Sequence, residues 1–114
     1  MRRGSMLLVV LVLALAGCAS VGDLEKKAPS FTDHTNKSAD EYRRCIVPAW
    51  VKIYSSVHAV DTSDGYQVIA PSPVAETDEL LIVRAMTNGA DVSLHERIAS
   101  MADSRYLKEA KACL

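Results

Sequence analysis

Residues 79–98, ELLIVRAMTNGADVSLHERI, hold Asn88-Gly89 between two runs that alternate apolar and polar side chains. An Asn-Gly pair suits a type I′ turn, whose two central residues need positive φ and whose twist matches that of the flanking strands. Centred there, the turn sets a register in which Ala85 faces Val92, Val83 faces Leu94 and Leu81 faces Glu96. Successive side chains of a strand point to opposite faces. Leu81, Val83, Ala85, Val92 and Leu94 therefore share one face, the expected core side. Leu80, Ile82, Arg84, Met86, Asp91, Ser93, His95 and Arg97 take the other.

A second hairpin is expected in VHAVDTSDGYQVIAPSP, where two β-prone runs flank Ser63-Asp64-Gly65. A three-residue loop with Gly65 left-handed pairs Val60 with Val68 and Thr62 with Tyr66; a two-residue loop pairs Val60 with Ile69. The first is the preferred register. APSPVAETDE then reads as a loop, because proline cannot donate to a ladder.

Helices are expected at both ends of this β-rich stretch. In SADEYRRCIVPAWVKIY, Ser38 with Glu41 three residues later has the form of a capping box. Tyr42, Cys45, Ile46, Ala49, Trp50 and Ile53 recur at helical spacing. Pro48 lies off that stripe and should kink the helix rather than end it. SRYLKEAKACL closes the chain as a helix with Tyr106, Leu107, Ala110, Cys113 and Leu114 on its apolar side and Ser104 as a residue of the N-cap type.

The chain begins with Arg2 and Arg3, followed by an uncharged apolar run over residues 6–16. A basic head and about ten apolar residues match a secretory signal, and the run is short of the roughly twenty residues a spanning helix needs. It ends in Leu15-Ala16-Gly17-Cys18, which resembles a bacterial lipobox. The resemblance implies a small envelope lipoprotein of a proteobacterial type. Its signal peptide, residues 1–17, would be removed. The Cys18 thiol would carry diacylglyceryl through a thioether, and the new α-amine an acyl chain such as palmitate. Several chains anchor a protein stably where one binds only marginally. Ala19, rather than aspartate, follows the cysteine, a pattern that in enterobacterial lipoproteins goes with the outer membrane. The expected localisation is the outer membrane of a Gram-negative bacterium, with the domain facing the periplasm. The resemblance implies processing and anchoring, and carries over no other functional residue.

Removing residues 1–17 takes two of the thirteen basic residues and none of the fourteen acids, leaving a formal charge of about −3. That excludes a nucleic-acid partner, which wants a basic stripe, and makes the lipid the sole membrane contact expected. Cys45 and Cys113 remain. Outside the cytoplasm an even pair reads as a disulfide, the alternative being two free buried thiols. Residues 19–37, ASVGDLEKKAPSFTDHTNK, are polar with little periodicity and read as a flexible tether spanning roughly 25 Å as a coil. Phe31 is the one aromatic side chain in that stretch, able to dock on the domain.

The expectation is thus an α+β domain over residues 38–114, following a lipidated cysteine and tether over 18–37: an N-terminal helix, a four-stranded antiparallel sheet from two hairpins and a C-terminal helix. Both helices lie on one face, joined by the disulfide, with Trp50 near the centre of the core. His34, His58 and His95 fall in separate places, and no His-x-x-x-His, Cys-x-x-Cys, Gly-x-Ser-x-Gly or phosphate loop occurs. Neither a cofactor nor a metal nor a catalytic set is expected. Leu80, Ile82, Met86 and His95 stand on the face opposite the core and mark a candidate partner surface. The competing explanations are a face covered by the tether folding back, or a homodimer through the sheet. The leading function is a non-enzymatic envelope module that binds a periplasmic or outer-membrane partner. The alternatives are a small periplasmic hydrolase or peptidoglycan-acting enzyme using His58 or His95, and an inhibitor of a periplasmic enzyme acting through a strand edge.

Overall fold

The structure, a computed structural model, describes residues 19–114. The signal peptide and the lipidation expected at Cys18 lie outside the described residues. The elements are α1 (Val21–Glu25), β1 (Phe31–Thr35), α2 (Ala39–Ile53), β2 (His58–Thr62), β3 (Gly65–Ser72), β4 (Ala75–Met86), β5 (Gly89–Glu96), a 3-10 turn (Ala99–Met101) and α3 (Ser104–Ala112). The strands form one antiparallel sheet in the order β1-β5-β4-β3-β2. The expected four-stranded sheet is therefore corrected to five strands, with an additional helix before them.

Both additions come from the stretch read as a tether. Ser20 caps α1 by accepting from the Asp23 N–H, while the Asp23 carboxylate accepts from the Ser20 N–H at 3.0 Å. That is a capping box with aspartate in place of glutamate. β1 pairs along β5 from Phe31↔Leu94 to Thr35↔Ala90. It supplies backbone partners to what would otherwise be an exposed edge. Phe31 points to the core side, where the Lys111 ammonium lies 5.5 Å from its ring centre.

Both hairpin registers differ from expectation. Met86 pairs with Gly89, so Ala85 faces Ala90, Val83 faces Val92 and Leu81 faces Leu94. Among the described residues positive φ falls on Gly89 alone, at 106°, whereas a type I′ turn needs it at both central residues. The turn is therefore Thr87-Asn88, and the register moves by two residues. A shift of two keeps every side chain on its face, so the assignment of faces survives. Ala85, however, is exposed. In the other hairpin Thr62 pairs with Gly65 and Val60 with Gln67, a two-residue turn at Ser63-Asp64. Gly65 is needed there for close approach: a Cβ would stand 1.9 Å from the Val83 carbonyl oxygen.

The loop expected over residues 70–79 is mostly strand. Ala70 pairs with Glu79 and Ser72 with Ala75, with a register irregularity between them. Pro71, which has no N–H to give, occupies that irregularity, as proline in a sheet commonly does. Thr77 donates its N–H to the Ala19 carbonyl instead, at 3.1 Å.

On one face, α2 and α3 cover Tyr66, Val68, Leu81, Val83, Val92 and Leu94 with Tyr42, Ile46, Trp50, Tyr106 and Ala110. Trp50 meets Tyr106 edge-on at 4.8 Å between ring centres. Three aromatic polar groups of this core find carbonyls: Trp50 Nε1–H donates to Tyr106, Tyr42 O–H to Ala110 and Tyr66 O–H to Ala39. Such satisfaction is what lets polar aromatics enter a core. α2 runs through Pro48 without a break, and the Ser38 hydroxyl accepts from the Glu41 N–H at its start. The N-cap of α3 is Asp103 rather than Ser104. A disulfide joins Cys45 to Cys113, tying α2 to the residue that caps α3. Cys113 is buried while Cys45 sits at the exposed margin of its helix, not in the apolar stripe.

Candidate functional site

The registers stack the outer face of the sheet, opposite α2 and α3, into three cross-strand rows. The first holds His95, Leu80, Ile69 and His58; the second Thr32, Ser93, Ile82, Gln67 and Val60; the third His34, Asp91, Arg84, Gly65 and Thr62.

The first row is covered. Leu24 of α1 packs on Ile69 and Leu80 in a second, smaller apolar cluster, flanked by Ala19, Val21 and Ile82. Leu80 is fully buried and His95 nearly so. The His95 Nδ1 lies 3.0 Å from the Lys27 carbonyl, and its Nε2 3.0 Å from the Ser93 hydroxyl. Donation by Nδ1–H to the carbonyl leaves Nε2 to accept from the Ser93 O–H. The surface expected at Leu80, Ile82, Met86 and His95 is thus corrected. Leu80 and His95 are interior to the fold, beneath the very segment read as a tether. Ile82 is half-buried and Met86 exposed.

What stays open is the far half of this face. A groove of about 380 Å³ there is lined by Thr32, Asp33, Ile82, Arg84, Asp91 and Ser93. Ile82 supplies its apolar floor, and charges of both signs rim it. In the third row His34, Asp91 and Arg84 are cross-strand neighbours. His34 Nδ1 stands 2.8 Å from an Asp91 carboxylate oxygen and His34 Nε2 2.8 Å from the Asn88 carbonyl. The hydrogen bond to Asp91 holds the His34 pKa above the ordinary imidazole value. The sequence placed His34 in the tether and missed its role. The signal that finds it is the β1–β5 pairing, invisible without the fold.

The core side carries one polar anomaly. Glu79 is fully buried, directly opposite Glu96 in the β4–β5 ladder. Neither Glu79 carboxyl oxygen, nor the hydroxyl of buried Thr77, has a hydrogen-bond partner among the described residues. Burial first, and then the facing Glu96, pushes the Glu79 pKa up to about 10, so the group is a neutral acid at physiological pH. The Tyr106 phenol nearby is pushed up to about 12, first by its own burial.

His58 is exposed, with Nδ1 3.1 Å from the Ser56 carbonyl. Among the described residues no three His, Cys, Asp or Glu side chains converge to hold a metal ion. Nor is any helix among them long and apolar enough to cross a membrane. No protein-family model matches the chain, and no curated protein or solved structure matches it.

Proposed function

We propose that the chain is a lipid-anchored cell-envelope protein whose domain is a non-enzymatic binding module for a periplasmic or outer-membrane partner. The lipid is the diacylglyceryl thioether on Cys18, and the lipobox-like Leu15-Ala16-Gly17-Cys18 is its signal. The observation that carries this reading is that the residues directly after Cys18 are built into the fold. Ala19, the residue after Cys18, is already bonded to β4, and Ser20 already caps α1. Cleavage before Cys18 therefore removes none of the described residues. The binding surface is the open half of the outer face, with Ile82 as its apolar centre and Arg84, Asp91 and Thr32 around it. A small apolar centre within a polar rim is the usual anatomy of a protein interface. Outer-membrane placement follows the sorting pattern of the enterobacterial lipoproteins that the box resembles, through Ala19.

One observation favours a second reading, a small hydrolase. The Ser93 hydroxyl lines the groove and is paired to His95, which the Lys27 carbonyl orients. That is a nucleophile, a base and an orienting group in sequence. Against it, β5 lies between β1 and β4, so its N–H groups are committed to ladders rather than free to hold an oxyanion.

Intact-mass analysis of the native polypeptide tests the anchor: it should begin at Cys18 and weigh more than its amino acids. A photo-crosslinking residue at Ile82 should then trap a partner in the native envelope, and Ile82→Asp should abolish an interaction without unfolding the domain. Ester turnover that vanishes in Ser93→Ala would instead establish the hydrolase.

A further inference from the structure

Two of the described large apolar side chains stand far into solvent: Met101 at 78% exposure and Val74 at 73%. Single exposed apolar residues are ordinary. These two share one end of the molecule, and Ile98, at 39%, joins them. Val74 is in the turn between β3 and β4, three residues before Thr77 and about 10 Å from it along a strand. The Arg97 N–H donates to the Asp78 carbonyl at 2.9 Å, which carries Ile98 past the end of β5 beside the start of β4. The Met101 N–H bonds back to the Ile98 carbonyl at 3.0 Å.

Ala19 is at this same end, fastened to Thr77. A Cα-to-Cα step is about 3.8 Å, so a lipid on Cys18 would be attached to the fold with almost no slack. A coil over residues 19–37 would have let the domain drift roughly 25 Å away. α1 and β1 remove that freedom. Charge at this end is mixed: Arg97 pairs with Asp78 at 2.7 Å and Arg105 with Asp103 at 2.7 Å, while Glu76 is exposed and the Lys27 ammonium, which donates to the Arg97 carbonyl, keeps its charge.

We propose that this end of the domain rests on the lipid surface, with Val74, Ile98 and Met101 entering the headgroup–acyl boundary beside the acyl chains of Cys18. This rests on the reading of Cys18 as lipidated. Amphipathic segments bind this boundary through buried apolar area, and here the covalent lipid supplies the proximity. The opposite end carries the turns Ser63-Asp64 and Thr87-Asn88 and faces away. The three rows fall in order from the membrane outward, the covered row nearest and the His34–Asp91–Arg84 row farthest. The open groove is thereby held toward the aqueous phase, where a protein partner can reach it.

The test uses the lipidated full chain, with the Cys45–Cys113 disulfide intact and Cys18 in its thioether. A single introduced thiol is then the one free to react. Met101→Cys, Val74→Cys and, at the far end, Thr87→Cys are each labelled with an environment-sensitive fluorophore. The proteins are placed in vesicles of phosphatidylcholine and phosphatidylglycerol containing nitroxide-bearing lipid. Quenching and blue shift should be several-fold greater at positions 101 and 74 than at 87. Equal quenching at the three positions, or stronger quenching at 87, in protein whose mass carries the lipid overturns the orientation alone. A mass without lipid overturns the anchoring reading and this one with it.

Discussion

Glu79 and Glu96 face each other across the β4–β5 ladder, and the first of them is fully buried with no partner for either carboxyl oxygen among the described residues. Two like charges directly opposite would repel, and an ionised carboxylate in a dry interior is costly. The proton on Glu79 resolves both problems.

That proton makes stability fall as pH rises. The unfolded chain releases it near the ordinary value of 4.5, the folded chain only near about 10. Stability from this group is complete below the first value and is lost progressively up to the second, by at most about 1.4 kcal/mol per pH unit. Urea unfolding across that range should show the decline. Glu79→Gln keeps the shape, removes the titration and should flatten the slope while stabilising the protein at alkaline pH. An equally steep slope in the variant would show that another group is responsible.

α1 should matter energetically although it is only five residues long. Leu24 is buried against Ile69 and Leu80. Leu24→Ala should cost about 2–5 kcal/mol by the usual cost of emptying a packed site, toward the lower end because so short a helix can shift. Urea unfolding of the pair of proteins measures it. A segment that were merely a tether would lose nothing.

What the sequence disclosed depended on periodicity. α2, α3 and the faces of the last hairpin rest on repeated apolar positions, and a two-residue error in the turn left those faces intact because strand parity absorbs it. β1 offered no such pattern: Phe31 is the one large apolar residue among Phe31–Thr35, and the strand exists because β5 lends it backbone partners. α1 shows a single buried side chain, so its only sequence mark was Ser20 three residues before Asp23. Missing these two elements misplaced the site as well. Leu80 and His95 appear as surface on a bare sheet and become interior once α1 and Lys27 lie over them. The raised pKa of Glu79 was equally hidden, since its burial follows from β4 extending through a stretch read as loop and its pairing with Glu96 from the corrected register.

The disulfide should contribute mainly through the unfolded chain. Cys45 and Cys113 are 68 residues apart. Closing a loop of that length is worth about 4 kcal/mol in the chain-entropy model, with engineered cases often delivering less. A domain this small has little core surplus to spare. Cys45→Ala with Cys113→Ala should lower the urea midpoint by a corresponding amount, with little change in the folded spectrum. Because Cys45 is exposed, reductant should open the bond without prior unfolding, and the reduced protein should match the double variant.

His34 should titrate above the ordinary 6.5 of a free imidazole. The geometry requires it: Nε2 faces a carbonyl, which only accepts, and Nδ1 faces the Asp91 carboxylate, so the favoured state carries a proton on each nitrogen. The stability this arrangement brings is present below 6.5 and is lost as pH rises through the elevated folded value. NMR of the imidazole resonances should show a midpoint that drops toward normal in Asp91→Asn. The consequence reaches the groove, because Asp91 also faces Arg84 across the sheet. Above the His34 midpoint the row loses one positive charge. Partner binding through Ile82 that relies on this row should therefore change with the same midpoint, and His34→Gln should remove that pH dependence while leaving the apolar contact in place.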